Sequence, residues 1–317
     1  MIRIVLATTI ALLLGCSSSE AQVSTMGTTA MHTVRPGHSR GSVRVLGRDD
    51  LAATVALLST NPIENVFVAA RVRSSGLDQT GLGCPLWGYE RDGALRALFH
   101  AGSNLVPVNA DDDAIEAWAR VAGRHRACAS IIGPSAVAMS LWCRLGELWG
   151  SDWTEVRNLR PRQPVMAIEQ DPVIPFNPDV HRISLEHWDP YYEAAVKMYT
   201  EEVGVSPLQG NPAGYRFYVR QLITSGRAFG LVHRGKVVFK ADLGSVSGNV
   251  CQMQGVWLDP SLRGRGLAAP AMAAAVRLAR TVAPIVSLYV NDFNLPARAT
   301  YARVGFRDVG EFATVHY

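Results

Sequence analysis

Apolar runs of strand length alternate with segments of helical period in both halves of this chain. Val43–Leu46 reads as a strand. Asp49 or Asp50 then caps a helix through Leu58, and Asn61-Pro62 breaks it. Asn65–Arg73 reads as a second helix, and Leu86–Glu90 with Ala94–Ala101 as a hairpin over Arg91-Asp92-Gly93. Asp111–Asp113 open a helix carrying Ile115, Trp118 and Val121, with acids where the helix dipole favours them. Ala129–Ile132 is a strand, Ser135–Gly146 a helix with Trp142 and Leu145 on its apolar face, and Val165–Ile168 a strand.

Glu169–Asp179 carries Pro172, Pro175 and Pro178 and reads as an extended connector. Beyond it Ile183 begins a strand, and Glu186–Val203 is a helix with Trp188, Tyr192, Val196 and Tyr199 near one face. Val205–Pro212 is a loop, Tyr215–Ser225 a helix, and Ala228–His233 with Lys236–Ala241 a hairpin over Arg234-Gly235. Asn249–Leu258 is a strand leading into a basic glycine turn, followed by a helix over Ala268–Ala283 that Pro284 ends. Ile285–Val290 is a short buried strand, Asn291–Asn294 a turn, and Pro296–Val304 a helix with Gly305 as its C-cap. Phe306 opens a last strand pair running to Tyr317.

This pattern divides the chain into a signal-like or spurious apolar segment plus polar tail (1–42), an α/β domain (43–168), a proline-rich linker (169–179) and a second domain (180–317). A length of 317 residues with 48% apolar content supports two cores. The formal charge of +4 is modest and its arginines are scattered, so nothing points to nucleic acid. No stretch reaches the ~20 apolar residues of a membrane span. Cys16, Cys84, Cys128, Cys143 and Cys251 have no metal-knuckle or C-x-x-C spacing, which favours reduced thiols and no metal site. Trp87, Trp118, Trp142, Trp149, Trp153, Trp188 and Trp257 read mostly as core.

The candidate chemistry lies in Val256–Gly266, V-W-L-D-P-S-L-R-G-R-G, and its continuation Leu267-Ala268. A strand stops at a proline, a basic glycine turn follows, and an alanine-rich helix starts. The first N–H groups of a helix lack intrahelical partners, and its dipole is positive there. Arg263, Gly264, Arg265, Gly266, Leu267 and Ala268 therefore suit a phosphate-bearing ligand. A surface turn with solvated arginines has the same residues.

Arg263-Gly264-Arg265-Gly266-Leu267-Ala268 resembles the cofactor motif of the GNAT superfamily of acyl-CoA-dependent N-acyltransferases. That family's next signature, Asn-x-x-Ala-x-x-x-Tyr-x-x-x-Gly-Phe, is matched by Asn294, Ala297, Tyr301, Gly305 and Phe306 with every interval kept. The resemblance covers roughly Val180–Tyr317. The whole chain more loosely resembles an uncharacterised actinobacterial group with a divergent first half. The fold implied is α/β (α+β): a mixed, mostly antiparallel sheet flanked by helices, preceded by a divergent, possibly GNAT-like half. In that half Gly133-Pro134-Ser135 is expected where a cofactor turn would fall, without the motif.

The resemblance implies acetyl-CoA, or another acyl-CoA, as co-substrate and direct attack by a primary amine of a small molecule or protein. It places the pantetheine arm along Val256–Leu258, makes the Val256 N–H the oxyanion donor, Tyr301 the acid for the leaving thiolate, and Asn294 a cofactor or backbone contact. Tyr301 is also readable as a core residue against Phe306, and Asn294 as a plain N-cap or turn residue, but the motif register favours the catalytic role for Tyr301. Gly255 is expected at a bulge. Relatives carry a glutamate where Gln252 and Gln254 stand, leaving Glu201 or Glu202 as alternative bases. His233 reads as a surface residue, and Asp242 as a turn residue or a substrate carboxylate. A catalytically silent acyl-CoA sensor is the rival reading.

Ile4–Leu14 followed by Leu13-Leu14-Gly15-Cys16 resembles a bacterial lipobox, which would anchor the protein to a membrane through Cys16. A later start at Met26 or Met31 is the alternative, and the acyl-CoA motifs favour a cytoplasmic protein.

Overall fold

The computed structural model describes residues 41–317. The lipobox-like segment, Cys16 and most of the polar tail lie outside the described residues. The first half runs β1 (Ser42–Val45), α1 (Leu51–Leu58), α2 (Val66–Ser75), a one-turn α3 (Gln79–Leu82), β2 (Leu86–Arg91), β3 (Ala94–Ala101) and β4 (Asn104–Val108). It continues with α4 (Asp112–Ala122), β5 (Ser130–Pro134), α5 (Ser135–Trp149), the short α6 (Ser151–Thr154) and β6 (Asn158–Ile168). The second half repeats the plan with β7 (Val180–Arg182), α7 (Trp188–Val203), α8 (Pro212–Thr224), β8 (Ala228–His233), β9 (Lys236–Ser247) and β10 (Val250–Leu258). It ends with α9 (Ala268–Arg280), β11 (Ile285–Tyr289), α10 (Leu295–Val304) and β12 (Arg307–His316).

The twelve strands of the described residues form a mixed, mostly antiparallel sheet in the order β1-β2-β3-β4-β5-β12-β6-β11-β10-β9-β8-β7. The halves exchange strands. β12 lies between β5 and β6, and β6 lies between β12 and β11. A buried ion pair follows this exchange, Arg160 of β6 donating to Glu202 of α7 at 2.9 Å. Helices cover the sheet through the faces their sequences make apolar. In α9 the alanines around Met272 and Val276 are buried, so small side chains let this helix sit close to the sheet. In the first half Trp118 of α4 is fully buried and stacks on Phe99 of β3 at 5.3 Å. Among the described residues no helix is long and apolar enough to cross a membrane.

Several elements differ from the sequence reading. β4 has no counterpart in the pattern read from the sequence, and it carries Pro107, which fits a strand only where its missing N–H is not needed. The β4–β5 ladder ends at Leu105, so the N–H that Pro107 lacks is not needed beyond it. β6 starts at Asn158, well before Val165, and carries Pro161 where its register with β12 shifts. β9 continues to Ser247, which puts Asp242 inside a strand instead of at a turn. The last strand pair is the single strand β12, its partners coming from the first half. β7 ends at Arg182, so Ile183 follows the strand instead of opening it. The counterpart of the second half's glycine turn is Asn109–Asp111, between β4 and α4, and not Gly133-Pro134-Ser135, which joins β5 to α5.

Candidate active site

β10 is buried at every position. It pairs with β9 over most of its length, but with β11 only at Val250–Ile285, Cys251–Val286 and Gln252–Ser287. Past Gln252 the two parallel strands part. Between Gln254 and Trp257 the register with β9 slips, and Gly255 takes φ +59° there. A side chain would be strained in that conformation, and the bulge turns the end of β10 out of the regular ladder.

β10 ends at Leu258, and the chain turns through Gly264 and Gly266, both at φ +76°, into α9. A cleft of about 270 Å³ opens there. One wall is Leu258, Gly264, Gly266, Leu267, Ala268 and Ala269, and the other is Pro296, Ala299, Thr300 and Arg303 of α10. No other atom lies within 4 Å of where a Cβ would sit on either glycine, so the turn's backbone faces open space. An anion in this cleft would meet the unpaired first-turn N–H groups of α9. Arg303, exposed on the i, i+3, i+4, i+7 face of α10, adds a cation that the sequence reading missed. Its place three residues before Phe306, on the same helix as Tyr301, was the available signal.

Two expected cofactor contacts point elsewhere. The Arg263 guanidinium holds both carboxylate oxygens of Glu201, at 2.6 and 2.8 Å, and the carbonyl of Leu258 at 2.9 Å. Its side chain is 14% exposed and is absent from the cleft wall, so it braces the turn against α7. Glu201 also accepts from Trp257 Nε1 at 3.2 Å, which commits one of the candidate bases to structure. Asn294 caps α10, its Oδ1 accepting from the Ala297 N–H at 3.3 Å, and it does not line the cleft. Arg265 is exposed on the turn.

Deeper in, Tyr301 and Val256 line one narrow pocket with Phe239, Leu258, Ala268, Met272, Ala297 and Thr300. Leu258, Ala268 and Thr300 belong to both spaces, so the pocket is the inner end of the cleft. Tyr301 is buried against Phe306, with ring centroids 5.8 Å apart. Burial raises its phenol well above the usual range and the Glu202 carboxylate adds to this. Both effects favour the protonated phenol. Glu202 is the acid of the Arg160 ion pair.

On the other side of β10 lies a buried polar cluster. Lys240, fully buried on β9, donates to Asp242 and, at 3.0 Å, to the carbonyl of Gly255. The Tyr191 hydroxyl also donates to Asp242. Gln254 donates to the hydroxyl of Tyr218, and its side chain packs where a Cβ on Gly244 would sit. Asp242 is thus enclosed by protein partners and is not a surface carboxylate. His233 is exposed at the end of β8.

The model of the acetyltransferase (GNAT) family matches residues 180–306. Residues 180–306 are a GNAT acetyltransferase domain. A domain of unknown function, DUF4081, matches residues 84–191 and precedes it. No curated protein sequence matches the chain. The fold is similar to a GCN5-related N-acetyltransferase from Sphaerobacter thermophilus at 17% identity, covering 88% of this chain and 95% of that one with a TM-score of 0.54. It is also similar to a GNAT-family acetyltransferase from Colwellia psychrerythraea, at 12% identity, 87% and 99% coverage and a TM-score of 0.51. A tandem GNAT protein from the clavulanic acid biosynthesis pathway matches at 14% identity, 87% and 98% coverage and a TM-score of 0.50. The chain has a tandem GNAT-like architecture.

The two halves differ where the GNAT domain has its glycine turn. β4 and β5 also part after two paired positions, Asn104–Ser130 and Leu105–Ile131. The turn that follows, Asn109–Asp111, has no glycine, and Asp111 caps α4 by accepting from the Ala114 N–H at 3.0 Å. Asp112 and Asp113 stand in the same first turn, and Arg91 pairs with Asp111 and Asp113. Carboxylates occupy the helix end that a phosphate would need, so this turn does not offer the open N–H groups that the glycine turn does.

Proposed function

We propose that the chain is an acetyl-CoA-dependent N-acetyltransferase that moves the acyl group to a primary amine of a small molecule or protein by direct attack. The observation that carries this reading is the parting of β10 from β11 beside a glycine turn, with Tyr301 and Val256 at the inner end of the same cleft. Backbone N–H groups of Gly264–Ala268, with Arg265 and Arg303, hold the cofactor phosphates. The unpaired edge at Val256–Leu258 takes the pantetheine amides as an added strand would. Bound acetyl-CoA supplies an activated thioester carbonyl. The Val256 N–H stabilises the oxyanion that forms on it, Tyr301 protonates the thiolate as the carbon–sulfur bond breaks, and the proton that the amine gives up as the carbon–nitrogen bond forms passes through water to restore the Tyr301 phenol. The amine acceptor enters from the side of the α7–α8 loop. Residues 43–168 act as support, contributing β6 and Arg160 to the GNAT half.

Thiol release from acetyl-CoA with a panel of amines tests this. Tyr301→Phe keeps the ring packing and is expected to lower kcat about 100-fold or more, as loss of a general acid does, with CoA affinity unchanged. Unchanged turnover removes Tyr301 from the mechanism. CoA binding without thiol release for any amine favours a silent acyl-CoA sensor. The same reading places the protein in the cytoplasm, where acyl-CoA is made. A lipid on Cys16 of the mature protein, read by mass, refutes that placement.

A further inference from the structure

Lys240 has no role in the reaction as set out above, yet its side chain is fully buried, an unusual place for an ammonium group. It donates to two acceptors. One is the Asp242 carboxylate, itself held by Tyr191. The other is the main-chain carbonyl of Gly255, at 3.0 Å. That carbonyl sits in the bulge, on the residue whose φ of +59° breaks the regular strand.

The Gly255 carbonyl and the Val256 N–H belong to one peptide unit. All described peptide bonds are trans. In a planar trans peptide the C=O and N–H point in opposite directions. Lys240 holds the carbonyl, so the N–H is aimed away from the ammonium, and Val256 itself lines the inner pocket with Tyr301. A cation on the carbonyl oxygen also draws electron density through the amide and makes the N–H a stronger donor, and a buried site does not screen this effect.

We propose that Lys240 is a positioning residue for acyl transfer: it fixes the Gly255–Val256 peptide in the bulge and polarises it, so that the Val256 N–H binds the developing oxyanion more tightly. This rests on Val256 as the oxyanion donor. Asp242 and Tyr191 hold the ammonium in place, and Asp242 balances its charge. The pair is buried for what it does to one peptide group, and its contribution to stability is secondary.

The test uses the full-length protein with S-acetonyl-CoA, a ketone analogue of acetyl-CoA with a methylene between sulfur and carbonyl, carbon-13 labelled at the carbonyl. Its infrared band reports the hydrogen bond at that oxygen. Lys240→Met with Asp242→Asn removes both charges together, avoiding a lone buried carboxylate. Lys240→Gln, likewise combined with Asp242→Asn, keeps a neutral donor near Gly255.

The wild-type protein is expected to lower the band below its position in water. The Lys240→Met double variant returns it towards that position, lowers kcat about tenfold (less than the full loss of an oxyanion donor) and leaves CoA affinity within about twofold. The Lys240→Gln double variant falls between the two. A wild-type shift that persists in both variants, with kcat unchanged, overturns the role of Lys240 and leaves the Val256 assignment standing. No shift in the wild-type protein overturns the Val256 assignment itself, and the proposal with it.

Discussion

Replacing Arg160 by Met tests whether the exchanged strand β6 is tied energetically to the GNAT half. Arg160 and Glu202 have side chains 7% and 2% exposed and meet at 2.9 Å, with a second contact from Arg160 to the Glu202 carbonyl at 3.4 Å. The methionine fills much of the space of the arginine stem. What is lost is the partner of a carboxylate that water barely reaches. Breaking one side of such a pair costs about 3–5 kcal/mol, because the remaining charge stays desolvated. With a urea m-value of roughly 2–3 kcal/mol/M, the unfolding midpoint falls by about 1–2 M. Adding Glu202→Gln removes the buried carboxylate and recovers most of the loss, giving a coupling energy of at least about 2 kcal/mol in the double-mutant cycle. Urea unfolding followed by tryptophan fluorescence measures all four proteins. A single-variant loss below about 1 kcal/mol, or costs that simply add, would refute the argument.

Three further outcomes follow from the site. Arg303→Ala weakens CoA binding roughly three- to tenfold, with a smaller effect at high salt, while Arg263→Ala lowers the melting temperature more than it lowers affinity; calorimetric titration beside thermal unfolding separates the two. Gly266→Asp, which puts a strained side chain and a negative charge at the start of α9, weakens CoA binding at least about tenfold, and wild-type affinity in that variant would rule out the turn as the phosphate site. Burial, then Arg160 and Arg157, push His316 down to about 3 from its usual 6.5. Below pH 6.5 the unfolded chain takes up this proton and the folded chain does not. Stability contributed by the neutral imidazole is therefore intact above pH 6.5 and falls by up to about 1.4 kcal/mol per pH unit between 6.5 and 3. His316→Gln should flatten that part of the stability profile in urea titrations at pH 7 and 5.

The site was legible where its chemistry follows sequence spacing. Arg263–Ala268 and Asn294–Phe306 fix a turn, two helix starts and the depth of Tyr301, and Gly255 was expected at a bulge and is found in one. Local pattern failed where partners are remote. β4 and β6 contain Pro107, Pro161 and Pro164, which argue against strands unless one knows that the ladder has ended or shifted beside them. Arg263 and Arg303 carry the same charge, and only the position of Glu201 in space turns one into a brace and leaves the other facing the cleft. Lys240 reads as an ordinary hairpin residue, and Asp242 as a turn residue or a substrate carboxylate, because the local pattern ends the strand at Ala241, short of its length in β9. Arg160 and Glu202 are 42 residues apart and meet only through the strand exchange.

The place of β12 in the sheet also sets the order in which the molecule can be finished. It follows the other eleven described strands in the chain, yet it lies in the interior of the sheet, with ladders to β5 on one side and β6 on the other. Until it arrives, β5 and β6 each present a bare edge, and edges of this kind pair readily with the wrong chain. Synthesis must therefore pass β12 before either half can close. Deleting Arg307–His316 is then expected to damage the first half as much as the second.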